Sequence, residues 1–139
     1  MKILQFAFDS REESDYLPHN YTHNCVVYTG THDNDTVMGW YDTLKGADKK
    51  LCDDYLRLKN ADGEPIPREQ LPWEFVRAAM SSVADLAIIP MQDYLGLGSE
   101  ARINIPSTLG INWKWRMGNG DFTKELAGRI RSMTKLYGR

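Results

Sequence analysis

The chain has 139 residues, of which 42% are hydrophobic and 26% are charged. This length leaves room for one domain, and the composition is that of a folded globular protein, not of a disordered one. A formal net charge of −2 gives no field that would hold nucleic acid or an anionic membrane, so neither partner is expected. No apolar run approaches the roughly 20 residues of a membrane span. The first residues lack the pattern of a signal peptide, so we expect a cytoplasmic protein.

The cysteines and histidines do not form a metal-binding pattern in the sequence. Cys25 and Cys52 have no second Cys or His at ligand spacing, so reduced thiols are a simpler interpretation than a disulfide or a zinc site. His19, His23 and His32 lack an acidic partner at ligand spacing on a shared element. We therefore predict no bound metal.

The N-terminal part of the chain predicts two strands joined by a polar loop. Residues 1–8 are nearly all apolar and contain no breaker, which is typical of a strand covered on both faces. Residues 9–24 carry charges, a proline and two histidines, so they predict a loop with at most a short helix. Residues 24–30 have a β-branched and aromatic centre that predicts a second strand, and the polar cluster of residues 31–36 follows it.

A helix is predicted directly after this polar cluster. Its apolar and aromatic residues lie within residues 37–44. Asn34 or Asp35 is expected to cap its first turn, because short acceptor side chains satisfy free N–H groups there. Gly46 is expected to end it.

The rest of the chain predicts further helices around a third strand. Residues 47–59 place apolar side chains on one helical face. Residues 68–83 form a stronger helix with an apolar stripe, which tolerates Pro72 only in its first turn. Residues 84–90 are a short apolar strand, and a terminal helix follows over residues 123–136. Apolar strands separated by helices predict an α/β fold with a parallel sheet.

Candidate functional residues follow the second and third predicted strands. In parallel α/β folds, binding groups gather at the carboxyl ends of the strands. His32 and Asp33 lie after the second strand, and Gln92 and Asp93 lie after the third. From spacing alone these acids are either cleft residues or ordinary helix caps, and both interpretations stay open.

Four tryptophans also have two interpretations. An aromatic face can stack on the C–H face of a sugar ring, or it can fill the protein core. Trp73 lies on the apolar stripe of a predicted helix, which favours the core. The same two interpretations apply to the others, Trp40, Trp113 and Trp115.

Four motifs in order carry a resemblance to a known family. They are residues 3–8, residues 16–21, residues 28–36 with Gly39 and Trp40, and residues 90–98 followed by Ala101, Arg102, Asn104, Pro106, Thr108 and residues 112–116. This arrangement resembles the C-terminal third of amylomaltases, the 4-α-glucanotransferases of glycoside hydrolase family 77. Ile111 departs from the family, which usually has Gly before the Asn-Trp pair.

The resemblance implies a fold, and it implies that this chain carries only part of the active site. It implies an α/β fold that is the C-terminal portion of a (β/α)₈ TIM barrel, because a whole barrel takes about 250 residues. The three parallel strands would be the sixth, seventh and eighth strands of that barrel. The family's nucleophile and acid/base lie on the fourth and fifth strands, upstream of Met1. Asp33 matches the family's third acid, which stabilises the transition state, and Asp35 is then the expected cap.

The resemblance also implies roles for other residues. His32 matches a residue that binds the same sugar as the third acid, and Asn112 is expected to bind substrate as well. The candidate cleft or scaffold residues are Gln92, Asp93 and Arg102.

The implied activity is transfer of α-1,4-glucan chains between maltooligosaccharide donors and acceptors by a retaining mechanism, with no cofactor. The isolated chain is expected to be inactive, and to self-associate or to need the missing part of the barrel. The alternative is a noncatalytic remnant that binds glucan or a protein partner. A flavodoxin-like binding domain is disfavoured because neither phosphate-loop motif is complete.

Overall fold

The computed structural model describes residues 1–139, and its centre is a three-stranded parallel sheet in the order β1-β2-β3. Helices and 3₁₀ turns occupy the connections between the strands. The strands are β1 (Lys2–Ile3), β2 (Val26–Tyr28) and β3 (Leu86–Ile88), and the helices are α1 (Val37–Thr43), α2 (Gly46–Leu56), α3 (Leu71–Met80), α4 (Met91–Leu95) and α5 (Lys124–Leu136). The predicted parallel sheet with helices packed on it is confirmed.

The two faces of the sheet have different surroundings. On one face Val27 is fully buried and packs in a cluster with Ala79 of α3. On the other face lie Tyr28 and Ile88, which pair in register across β2 and β3. Leu86 is 58% exposed and Ile88 is 46% exposed. This second face therefore presents apolar side chains that no other part of the chain covers.

β1 is shorter than the sequence predicts. Only Lys2–Ile3 is extended, and Leu4–Phe6 form a 3₁₀ turn. A strand would send alternate side chains to opposite faces, whereas Leu4, Ala7 and Phe8 are all buried in one cluster with α1, α2 and α3. Packing in the helical layer therefore overrides the strand preference of this apolar segment.

The expected caps of α1 are wrong. Thr36 is the cap, because its Oγ1 accepts a hydrogen bond from the Gly39 N–H at 3.1 Å. Asn34 Oδ1 instead accepts from the backbone N–H of Thr31 at 2.9 Å, and Asp35 is bonded to Thr36 N and to Ser99, as described below.

The expected end of α1 is also wrong. The helix ends at Thr43, because Leu44 has an extended backbone. Gly46 is the first residue of α2, with a φ of 54°. α2 ends at Leu56, because Arg57 adopts a left-handed backbone conformation.

The long helices agree best with the sequence. α3 has Pro72 in its first turn and buries the predicted stripe, although a separate 3₁₀ turn precedes it and it ends at Met80. Thr123 caps α5, and α5 packs on Trp73, which confirms the core interpretation of that residue. The guanidinium of Arg129 lies 3.7 Å from the centre of the Trp73 ring. None of these helices is both long and apolar enough to cross a membrane.

Candidate functional site

The carboxyl ends of the three strands open onto a cleft of about 670 Å³. One wall is the loop between β2 and α1, residues 29–36, and the floor is the open apolar face of the sheet. The cleft is lined by Met1, Ile3, Phe6, Tyr28, Gly30, Thr31, His32, Asp33, Asn34, Ile88, Pro90, Met91, Gln92 and Ile103. Asp33 is the one carboxylate among these residues.

Asp33 is held from two sides and stays accessible. Its side chain is 50% exposed, and Asn104 Nδ2 donates to its Oδ1 at 2.6 Å. The Arg102 guanidinium donates to the backbone oxygen of Asp33 at 2.7 Å and, through Nε, to the backbone oxygen of Asn104 at 2.9 Å. Oδ2 of Asp33 accepts no hydrogen bond from the protein, so it is free to meet a ligand.

An aromatic pair lies beside Asp33. His32 Nε2 is 3.5 Å from Asp33 Oδ1, and the His32 and Trp113 rings lie 5.0 Å apart with a 39° angle between their planes. Trp113 is 57% exposed and its backbone N–H donates to Ile103 O at 2.7 Å. The Trp113 ring is therefore available as a stacking surface next to His32.

Asn112 uses its amide within its own loop. Oδ1 accepts from the N–H of Ile105 at 3.0 Å, and Nδ2 donates to Thr108 O at 3.1 Å and to Thr108 Oγ1 at 2.9 Å. These bonds close the loop of residues 105–112 beneath Trp113. A sugar contact by Asn112 stays a prediction.

Gln92 and Asp93 are buried at the start of α4. Gln92 is 4% exposed and donates from Nε2 to Ala101 O at 3.2 Å, although it also borders the cleft. Asp93 is 2% exposed and accepts from Thr29 Oγ1 at 2.5 Å and from Val37 N at 2.8 Å. Burial raises the pKa of Asp93 to about 6, against the lowering effect of these two hydrogen bonds.

The end of the 29–36 loop nearest α1 is fixed through Asp35. Gln5 Nε2 donates to Asp35 O at 2.8 Å, and Ser99 Oγ donates to Asp35 Oδ2 at 2.6 Å. Gly39 allows this contact, because a Cβ there would lie 2.7 Å from Asp35 Oδ1 and would overlap Ser99 Oγ.

Four of the residues that hold the site were not predicted. Gln5, Thr29, Ser99 and Asn104 act through hydrogen bonds to residues far away in sequence. Gln5, Thr29 and Asn104 lie within the family motifs, which are the one signal in the sequence that points to them, and Ser99 lies outside those motifs. Of the four tryptophans, Trp113 is the one whose ring contacts His32.

The arrangement fits recognition of a polyhydroxylated ligand. A carboxylate oxygen accepts hydrogen bonds from hydroxyl groups and stabilises a nearby positive charge, while an exposed indole packs on an apolar ring face. One carboxylate cannot supply both a nucleophile and an acid/base. No three His, Cys, Asp or Glu side chains come together in a group that could hold a metal ion.

Comparison with known proteins confirms the resemblance seen in the motifs. The sequence model of a family described as 4-alpha-glucanotransferase, glycoside hydrolase family 77, matches residues 1–121. The 4-alpha-glucanotransferase of Clostridium butyricum is 49% identical over the whole chain, which covers 27% of that relative. The chloroplastic/amyloplastic enzyme of Solanum tuberosum is 48% identical over the whole chain, which covers 23% of it.

A solved structure gives the same result. The chain superposes over its full length on the amylomaltase of Streptococcus agalactiae, determined in complex with acarbose, with a TM-score of 0.89 and 35% identity. It covers 27% of that chain, so it spans about a quarter of the length of the relatives that it matches. The three parallel strands with their helices are therefore an α/β segment of an amylomaltase fold, and the chain belongs to the 4-alpha-glucanotransferase family, glycoside hydrolase family 77.

Proposed function

We propose that this chain is the segment of a 4-α-glucanotransferase that supplies Asp33 as the third acid of the active site. The observation that carries the proposal is the state of the Asp33 carboxylate. It is half exposed in the cleft, its Oδ1 is held by Asn104, and its Oδ2 is free. Such a group accepts hydrogen bonds from sugar hydroxyls and needs no rearrangement to do so.

The retaining reaction requires two further carboxyl groups. Retaining glycosyl transfer uses a nucleophile and an acid/base about 5 Å apart, and Asp33 is the one acid that lines the cleft. The other two come from the part of the barrel that the resemblance places upstream. The isolated chain is therefore inactive, and it completes a site only when it is joined to, or assembled with, that part.

Asp33 acts chiefly on the transition state. The sugar develops positive charge as the glycosidic bond breaks, and a fixed negative charge beside it is worth more at that point than in the ground state. His32 adjoins the carboxylate and Trp113 adjoins His32, so His32 binds the same sugar and Trp113 packs on a ring face. The substrates are α-1,4-glucans and maltooligosaccharides, in line with the acarbose in the solved relative.

The test is a chimera in which this chain replaces the matching 27% of the Clostridium butyricum relative. The wild-type chimera should disproportionate maltotriose, and Asp33→Asn should lower kcat by about 100-fold or more with little loss of stability, because the lost charge acts on the transition state. Asp62→Asn, in an exposed turn away from the cleft, is the matched control and should leave kcat unchanged.

Two results would contradict the proposal. One is a folded but inactive wild-type chimera, which would favour a noncatalytic binding module. The other is near-normal turnover by Asp33→Asn. The pure chain, assayed alone, should release no glucose and form no longer glucans.

We also propose that the protein works in a reducing compartment. Both thiols are free, with Cys52 buried and Cys25 partly buried, as is usual for proteins of the cytoplasm. The plant relatives are named chloroplastic/amyloplastic.

A further inference from the structure

One buried carboxyl group holds both ends of the loop that carries Asp33. Asp93 lies at the start of α4 and accepts a hydrogen bond from Thr29 Oγ1 at 2.5 Å and another from Val37 N at 2.8 Å. Thr29 directly follows β2, and Val37 is the first residue of α1. Every residue between them, including His32 and Asp33, belongs to the wall of the cleft or its support.

This arrangement is costly, so packing alone does not account for it. Burying a carboxyl group in a low-dielectric interior is unfavourable unless its oxygens are bonded, and Asp93 is 2% exposed. Burial raises its pKa, and the charge of Asp35 raises it further. An apolar side chain would avoid the cost of burying a carboxyl group, but it would leave the buried Thr29 hydroxyl and Val37 N–H without a partner.

We propose that Asp93 is a positioning residue for Asp33. By fixing the distance between the end of β2 and the start of α1, its carboxyl group sets how far the loop, and therefore Asp33, projects into the cleft. This inference rests on the proposed function of Asp33. It adds a residue that touches no substrate and acts through the loop.

The bridge depends on hydrogen bonds and not on charge. The ionised carboxylate accepts from both partners. A neutral carboxyl group or an Asn amide can accept from Val37 N–H through one atom and donate to Thr29 Oγ1 through the other. Asn at position 93 therefore keeps the bridge, whereas Ala removes both bonds.

Other contacts act on residues inside the loop. Gln5 and Ser99 bind Asp35, and Arg102 and Asn104 bind Asp33. None of these hydrogen bonds involves Thr29 or Val37. Loss of the Asp93 bridge should therefore loosen the two ends of the loop while these contacts remain in place.

The first experiment measures hydrogen–deuterium exchange in the 139-residue chain. Asp93→Ala should speed exchange in peptides covering residues 29–37 by about tenfold, and Asp93→Asn should stay within about threefold of wild type. The matched control is Asp53→Asn, since Asp53 is also buried, at 5% exposed, but bonds Tyr41 away from the cleft. Unchanged exchange in Asp93→Ala would overturn the proposal.

The second experiment is a double-mutant cycle in the chimera described above. Asp93→Ala should lower kcat by about 100-fold, since displacing a catalytic group by about 1 Å has such an effect, and Asp93→Asn should restore most of it. In an Asp33→Asn background, Asp93→Ala should lower kcat by less than about threefold, because Asp93 acts through Asp33. Fully multiplicative losses would overturn the inference.

A further variant keeps the test decisive if Asp93→Ala fails to fold. Thr29→Val removes one of the two hydrogen bonds to Asp93 at nearly constant side-chain volume. It should speed exchange in residues 29–37 and lower kcat, each by less than Asp93→Ala. Normal turnover by the Asp33→Asn single variant would instead refute the proposed function, and the exchange experiment would still report whether the bridge orders the loop.

Discussion

Asn104 donates a hydrogen bond from Nδ2 to Oδ1 of Asp33 across 2.6 Å, although 71 residues separate the two in sequence. The bond fixes one oxygen of the carboxylate and leaves the other facing the cleft. Arg102 reinforces it by binding the backbone oxygens of both residues. The orientation of Asp33 is therefore set by a loop that follows a different strand from its own.

Asn104→Ala should weaken catalysis in the chimera without removing it. Asp33 keeps its charge but loses the bond that selects its rotamer, so we expect kcat to fall by about tenfold, less than for Asp33→Asn. Steady-state kinetics on maltotriose measures this effect. Asn60→Ala is the control, because Asn60 only closes an exposed turn through Asp62 N and Glu64 N. A loss in Asn104→Ala as large as that in Asp33→Asn would contradict an orienting role.

Trp113→Ala should act mainly on substrate affinity. The exposed indole beside His32 offers an apolar face to a sugar ring, and losing such a contact costs about 1 kcal/mol beyond the buried area. We expect KM to rise by about tenfold, with kcat much less affected, and Trp113→Phe to recover part of the affinity. An unchanged KM in Trp113→Ala would show that the ring does not contact the glucan.

Sequence reasoning succeeded where local periodicity decides the structure. The stripe of α3 and the extent of α5 follow from helical spacing, and the carboxyl-end clusters follow from strand and helix order. The sequence does not predict features that depend on hydrogen bonds between residues far apart in the chain. Asp35 is not a helix cap, because its carboxylate accepts from Ser99 Oγ and from Thr36 N, and no pattern in residues 31–36 predicts the contact with Ser99.

Gly39→Ala should destabilise the fold. The added Cβ would lie 2.7 Å from Asp35 Oδ1 and overlap Ser99 Oγ, so one of these groups must move, at a cost of about 1–3 kcal/mol. Gly128→Ala is the matched control, because Gly128 lies inside α5 with nothing within 4 Å of its Cβ position. That change should stabilise by about 0.5–1 kcal/mol. Urea denaturation measures both free energies of unfolding. Equal changes in the two variants would contradict the close contact of Gly39 with Asp35 and Ser99.

Asp93→Asn should flatten the pH dependence of stability. The pKa of Asp93 is raised to about 6 from about 3.9 in the unfolded chain, so between these values the folded state binds more protons than the unfolded state. The wild-type free energy of unfolding therefore falls as pH rises from about 4 to about 6, by up to about 3 kcal/mol from this group. The variant lacks this decrease. Denaturation at pH 4, 5, 6 and 7 tests it, and parallel profiles would contradict the assignment.

The pure chain should self-associate through the open face of its sheet. Leu86 and Ile88 are 58% and 46% exposed, next to strand edges with unpaired backbone groups, and such surfaces drive association. Sedimentation should show weight-average mass rising with concentration.

Replacing both residues, as Leu86→Ser with Ile88→Ser, should lower the association constant at least tenfold. We expect little loss of stability, because these side chains face away from α3 and bury little apolar area. Leu136→Ser is the control, since Leu136 is 73% exposed but lies on α5, away from the sheet. If the double variant associates as strongly as wild type, the contact lies elsewhere. A wild-type chain that stays monomeric at high concentration would mean that the open face is stable in water without a partner.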